Sequence, residues 1–403
     1  MRLRIGTFNV ENLLTRHRFS SGERGDTAAA MSLFHFPRND EREAVERSLA
    51  VALEDDKRQM TALALAEAQA DLWMLQEVDS LASLQAFFAN YVHRIADHRY
   101  GHFTLIDGND RRDIDIGFAA RRDLLAPQQV TVRSHKDLSF AEAGVHDRDL
   151  AALGIDRSGK VFARDCLQIT LDFGDRSLTL FGCHLKSMNN GRDDGRHATL
   201  PVRRAEARAV KHLVKQRFGE GWREANWIIL GDLNAYRFGL GPLAQRIDEG
   251  ESGIEPLLDQ FAIAPMENLP QHERWTHFRR FWSEERQRLV ESHMPLDHIL
   301  LSPALAAANP NPAMQMIRRG LPYRVPLDPR EKDRSMARLA TCADRYPRVG
   351  WDRPKASDHC PLTIDLAIPS IIGSNKVFDP MIYPLRFCIG SSENRNPLFG
   401  PML

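Results

Sequence analysis

No stretch of this 403-residue chain is apolar for long enough to cross a bilayer, and its opening residues, Met1-Arg2-Leu3-Arg4, carry no apolar leader. Those two absences make a cytoplasmic protein the expectation. Cysteine is scarce too. The five cysteines, at 166, 183, 342, 360 and 388, show no Cys-x-x-Cys and no paired spacing, which argues against a disulfide framework or a zinc knuckle and for a reduced compartment. Net charge is missing: 54 Lys and Arg balance 54 Asp and Glu, so no whole-molecule attraction to a polyanion can be invoked. There is no phosphate-binding P-loop, no serine or cysteine nucleophile motif and no internal repeat. Hydrophobic residues make up 43% of the chain, enough for a substantial core in one large domain or two to three ordinary ones.

What is present is a recurring pattern, an apolar strand that delivers a polar residue at its end. Asn226-Trp227-Ile228-Ile229-Leu230-Gly231-Asp232-Leu233-Asn234 is the clearest case. Its unbroken apolar run reads as a buried strand. Gly231 lets the backbone bend or approach a ligand, and Asp232 and Asn234 alternate so that both can project from one face. An ordinary Gly-Asp turn is the plainer alternative. The same pattern gives Asn9 and Glu11 after Leu3-Arg4-Ile5-Gly6-Thr7-Phe8, and Glu77 after Leu72-Trp73-Met74-Leu75-Gln76. It gives His184 after the strand ending at Cys183, and Asp297 beside His298-Ile299-Leu300-Leu301. Asp358 and His359 stand just before a last strand at Leu362-Thr363-Ile364. A carboxylate at such a place needs a partner, an arginine or a metal.

The remaining chain frames these ends. Residues 16–40 read as a loop, 41–69 as a helix and 81–92 as a second helix. Strands are expected near 103–106, 114–120 and 128–133, and a hairpin turns at Gly174-Asp175. Residues 188–200 form an exposed loop. The segment 201–218 is a basic helix carrying Arg203, Arg204 and Arg208, read either as a solvated face or, with Arg279 and Arg280, as a hold on a polyanion. Residues 236–295 and 303–350 show little periodicity, and 369–403 read as a tail appended to a complete domain.

Carboxylates and amides without cysteine suit a hard ion, Mg²⁺ first, with Mn²⁺ or Ca²⁺ as the other candidates. Such an ion with histidines suits attack of water on a phosphate ester. The ordered set Phe8-Asn9-Val10-Glu11, Leu75-Gln76-Glu77-Val78, His184-Leu185-Lys186-Ser187, Gly231-Asp232-Leu233-Asn234, Leu296-Asp297-His298-Ile299-Leu300 and Ser357-Asp358-His359 resembles the endonuclease/exonuclease/phosphatase superfamily, the DNase I-like fold, over residues 1–368. The resemblance implies an α/β four-layer sandwich, with two mixed sheets face to face and helices outside. It implies Glu77 as principal metal ligand, with Asn9, Glu11 and Asp358 nearby or sharing it. Asp232 would activate the water and Asn234 position it. His359, oriented by Asp297, would contact the phosphate, with His184 as the second histidine; Arg164 and Lys186 are candidate phosphate contacts. Glu11 is longer than the Asp usual in the family, and His298 replaces a common aromatic. The expected substrate is a phosphodiester, a nucleic acid before a lipid or inositol phosphate; an inactive binding member is the other class.

Overall fold

Leu72-Trp73-Met74-Leu75 is apolar without a break because both faces of its strand are covered. Leu72 and Met74 join a core between two sheets, while Trp73 and Leu75 join a second core under a helix. The structure, a computed structural model, describes residues 1–13, 31, 35–189, 195–240, 246–283, 287–322, 344–350 and 353–370. The first sheet contains β1 (Arg2–Leu13), β2 (Leu72–Val78), β3 (Tyr100–Leu105), β4 (Asp115–Arg121), β14 (Met314–Met316) and β15 (Leu362–Ala367), in the order β14-β15-β1-β2-β4-β3. The second contains β5 (Val130–Ser134), β6 (Cys166–Asp172), β7 (Ser177–His184), β8 (Trp227–Asp232) and β13 (Asp297–Leu301), in the order β13-β8-β7-β6-β5. Both are mixed: β1 runs parallel to β2 and β7 parallel to β8, and the other ladders are antiparallel.

The strands' side-chain period of two sorts them between layers. Ile228 and Leu230 of β8 meet Leu72 and Met74 in the inter-sheet core, and Trp227 and Ile229 face outward. Helix α1 (Asn39–Ala68) lays Ala62, Ala64, Leu65 and Ala68 over the outer face of the first sheet. A shorter helix, α2 (Leu81–Phe87), adds Leu84 and Phe87 to that layer. On the far side α3 (Leu200–Phe218) packs Ala205, Ala209, Val210 and Leu213 against Phe181 and Trp227. The result is the four-layer α/β sandwich, in one unit spanning Met1–Ile371. The tail read at 369–403 lies, beyond Ser370, outside the described residues, as do parts of the loops read at 16–40, 188–200 and 303–350.

Two expectations need correction. Part of the irregular stretch 236–295 is regular: β9 (Phe238–Leu240) pairs with β10 (Arg246–Asp248), and β11 (His277–Ser283) with β12 (Arg288–Met294). The basic helix α3 does not offer its arginines to a polyanion. Arg203 is wholly buried and donates to the carbonyls of Ser252, Lys186 and Arg196. Arg204 is paired with Asp149 and Glu251, and Arg208 with Asp147.

A buried histidine makes stability pH-dependent. Just after β5, His135 donates from Nε2 to Gln168 Oε1 at 3.0 Å, and burial lowers its pKa from 6.5 to about 4. A group whose folded pKa is depressed stabilises the native state above its unfolded value and loses that contribution as pH falls through the window. The loss between pH 6.5 and 4 is about 3 kcal/mol. Denaturant titrations across this window should show the native chain weakening relative to His135→Gln. Parallel curves for the two proteins would refute it.

Candidate active site

Three adjacent strands bring their chemistry into line by register alone. His184 at the end of β7 sits opposite Asp232 at the end of β8, and Asp232 sits opposite Asp297 at the start of β13. Gly231 makes the first of these approaches possible. Its φ is +138°, and a Cβ there would lie 1.9 Å from the Cys183 carbonyl oxygen. Any side chain at 231 would push β7 and β8 apart at the residues preceding His184 and Asp232.

The first sheet adds the other half. Asn9 lies in β1 where its register against β2 shifts, and Glu77 is the penultimate residue of β2, while Ser357-Asp358-His359 leads into β15, the other neighbour of β1. Asn9 Nδ2 donates to Asp232 Oδ2 at 3.1 Å, across the two sheets. Ser357 Oγ donates to the Asn9 carbonyl at 2.7 Å and accepts from His359 N at 3.0 Å. His359 Nδ1 lies 2.7 Å from Asp297 Oδ2, and its Nε2 stands 3.7 Å from Asp232 Oδ2. His184 Nε2 stands 3.5 Å from the same Asp232 oxygen. Asn234, at φ +49°, donates its backbone N–H to Asp232 Oδ1 at 2.9 Å and its amide to Leu185 O at 3.1 Å.

The two histidines are held in opposite charge states. Burial and the nearby Arg164 push His184 well below its usual range, so it is neutral. Burial also pulls on His359, but the carboxylates of Asp297 and Asp232 outweigh it and hold the imidazolium well above the usual range. Burial drives Asp232 up to about 7, with His359 opposing. Glu77 is raised by burial and by Asp358, against His359, Asn9 and Arg164. Burial works against ionisation of Asp358, but contact with His277, Lys355 and His359 wins and lowers it well below the carboxylate range.

Eight of the nine residues singled out in the sequence converge. Glu11 has cations around it: Lys355 Nζ stands 3.1 Å from its Oε1, with Lys57 Nζ at 3.8 Å and Arg353 Nη2 at 3.9 Å. Its Oε2 is buried and has no hydrogen-bond partner. Glu77 with Asp358 and the Asn9 amide fits a hard divalent cation. Arg164, a candidate phosphate contact, is buried and shares Asp110 with Arg112, each pairing at 3.0 Å. Lys186 donates its backbone N–H to buried Glu206 at 2.6 Å.

Sequence reasoning missed Thr276 and His277. Thr276, wholly buried, accepts at Oγ1 from Asp297 N at 3.0 Å and Leu296 N at 3.1 Å, and its carbonyl accepts from Cys360 N at 2.8 Å. It thereby ties the strand that begins at Asp297 to the segment that carries His359. His277 packs edge-on against His359, with ring centroids 4.7 Å apart. Its pKa is lowered by burial, against the pull of Asp358. Neither residue lies at the end of an apolar run; only the proximity of Trp275-Thr276-His277 to the Asp297 motif could have pointed to them.

Two facing mixed sheets bring acid, amide and histidine side chains together at one rim, a class of site suited to hydrolysis of phosphate esters. The chain belongs to the endonuclease/exonuclease/phosphatase family, whose model matches residues 6–359. Members of that family hydrolyse phosphoester bonds, generally with a divalent metal ion. Among solved structures it is similar to an endonuclease/exonuclease/phosphatase family protein from Leptotrichia buccalis C-1013-b, at 12% identity, covering 91% of this chain and 100% of that one with a TM-score of 0.47. Truncated Caenorhabditis elegans TDP2 matches at 14% identity, 91% and 98% coverage and a TM-score of 0.45. D. rerio TDP2, solved with a single-strand DNA product, matches at 16% identity, 91% and 99% coverage and 0.44. No curated protein sequence matches the chain. Among the described residues no helix is long and apolar enough to cross a membrane.

Thr276→Val should separate positioning from chemistry. Two buried N–H groups lose their acceptor, at about 1–3 kcal/mol. We expect a lower melting temperature, a fall in kcat beyond any loss of folded protein, and recovery of both in Thr276→Ser. A Thr276→Val protein with native kcat would show that the hydroxyl does not position Asp297.

Proposed function

We propose that this chain is a divalent-metal-dependent phosphodiesterase that cleaves nucleic acid by direct attack of water. The observation that carries the reading is the buried Asp232, reached across the two sheets by Asn9 at 3.1 Å and flanked by His184 Nε2 at 3.5 Å and His359 Nε2 at 3.7 Å. Glu77, Asp358 and Asn9 would hold the ion, Mg²⁺ before Mn²⁺ or Ca²⁺. Such an ion supplies charge neutralisation at the phosphoryl oxygens and a more acidic water. Asp232 takes the proton of the attacking water, its affinity for that proton raised by burial. The Asn234 amide, anchored on the Leu185 carbonyl, orients the water. His359, held through Nδ1 by Asp297, presents Nε2–H to a phosphate oxygen or the departing alkoxide, and His184 hydrogen-bonds from the other side.

Charge supports a diester. Arg112 and Arg164 share the single acid Asp110, which leaves one net positive charge beside Glu77 and His184. A diester phosphate brings one negative charge and a monoester nearly two. A cation in the segment that follows Asn234 supports a polymer: the exposed Arg246 lies over Phe238 at 3.3 Å. Residues 1–368 would form the catalytic unit. A chain ended after Ser370 should keep fold and activity, and a large fall in its melting temperature would refute that boundary.

The main test measures kcat/KM for bis(p-nitrophenyl) phosphate, a short oligonucleotide and a matched phosphomonoester at fixed Mg²⁺, each repeated in excess EDTA. We expect both diesters to be preferred and all cleavage to stop with EDTA. Preference for the monoester, or cleavage that survives chelation, would overturn the proposal.

A further inference from the structure

His277 is a buried imidazole that the catalytic scheme leaves idle. Its Nδ1 has no hydrogen-bond partner, and its Nε2 stands 3.6 Å from Asp358 Oδ2, longer than a hydrogen bond. On the other side of Asp358, His359 Nε2 stands 3.9 Å from Oδ1. One donor atom from each of His277, Asp358 and His359 lies within 4.8 Å of the other two. The backbone fixes this grouping: Phe278 N donates to the Asp358 carbonyl at 2.9 Å, and Cys360 N to the Thr276 carbonyl at 2.8 Å.

We propose that His277, Asp358 and His359 form a binding site for a transition-metal ion such as Zn²⁺, which shares Asp358 with the hard-ion site at Glu77, and that filling it inhibits the enzyme. A zinc ion sits about 2.0–2.2 Å from imidazole nitrogen or carboxylate oxygen, so tetrahedral donors stand about 3.4 Å apart. The observed spacings are 3.6 Å from His277 Nε2 to Asp358 Oδ2 and 3.9 Å from His359 Nε2 to Oδ1, so a small turn of the carboxylate brings one oxygen toward both rings. Two imidazoles and one carboxylate favour Zn²⁺ or Co²⁺ over Mg²⁺, which prefers oxygen. His359 already has the support of a ligating histidine, because Nδ1 is held by Asp297 at 2.7 Å while Nε2 points to the site. The Asp358 side chain is 33% exposed, which gives an ion a way in. An ion there occupies His359 Nε2, the atom proposed to meet the phosphate. Inhibition therefore rests on that role, and binding does not.

Binding is tested without substrate. The full chain is titrated with Co²⁺ without Mg²⁺, following the intense visible ligand-field absorption of a tetrahedral site, with Zn²⁺ as competitor. We expect one Co²⁺ per chain, displaced by Zn²⁺, weakened about tenfold or more in His277→Gln and retained in Glu77→Ala. Equal binding by His277→Gln, or loss in Glu77→Ala, would overturn the site. Should His277→Gln fail to fold, X-ray absorption of the unsubstituted chain with one equivalent of Zn²⁺ decides instead: two imidazoles per zinc are expected, and fewer would refute the assignment. In assays with excess Mg²⁺, inhibition by Zn²⁺ that His277→Gln relieves completes the proposal; an enzyme indifferent to Zn²⁺ despite bound metal would remove the inhibitory role.

Discussion

The 3.1 Å hydrogen bond from Asn9 to Asp232 joins the rims of two sheets whose hydrophobic faces only fix their separation. Apolar packing is non-directional. It brings Ile5, Met74, Leu230 and Ile364 into one core but does not dictate which polar ends meet. The Asn9 amide does. Its Nδ2 is committed to Asp232 and its Oδ1 accepts from Glu11 N at 3.0 Å, so the side chain cannot flip without losing both bonds. The Asn9 carbonyl in turn holds Ser357, and Ser357 holds His359. The alignment of the two half-sites thus passes through this buried amide and through the 2.7 Å contact of His359 with Asp297.

Burial sets the electrostatics of the rim, and neighbours then decide each case. Desolvation disfavours charge on every group there. It prevails at His184, where Arg164 adds to it, and it fails at His359, where carboxylates surround the ring. Two histidines a few ångströms from one Asp232 oxygen therefore differ in charge because one is backed by Asp297 and the other is not. That asymmetry suits in-line displacement, in which charge builds unevenly around the phosphorus.

Most of the site was legible because strand ends are legible. An apolar run such as Trp227-Ile228-Ile229-Leu230 must lie between two covering layers, and the first polar residue after it emerges at the rim. The surroundings of Glu11 were not legible, because spacing along a strand says nothing about what approaches from another element. Lys57 comes from α1 and Lys355 from the segment before β15, and both close on it through tertiary folding alone. The β11–β12 hairpin was illegible for a different reason. Its strands pair chiefly with each other, so residues 277–294 carry no apolar run, and Thr276 and His277 were hidden with it.

Helix α3 shows how far local charge can mislead about function. Its six Lys and Arg residues suggested a face for a polyanion. Yet Arg203 and Glu206 lie wholly buried on its inner side, where desolvation is costly unless every polar atom is met. Glu206 accepts from Ala163 N at 3.0 Å and Lys186 N at 2.6 Å, and Arg203 donates to three loop carbonyls and Thr199 Oγ1. These bonds fasten the segments that begin at Arg164 and follow His184. Apolar side chains at 203 and 206 could fill the space but could not satisfy those backbone groups. The buried charges of α3 therefore brace the rim of the second sheet from behind, and the helix contributes to the site by position rather than by contact with substrate.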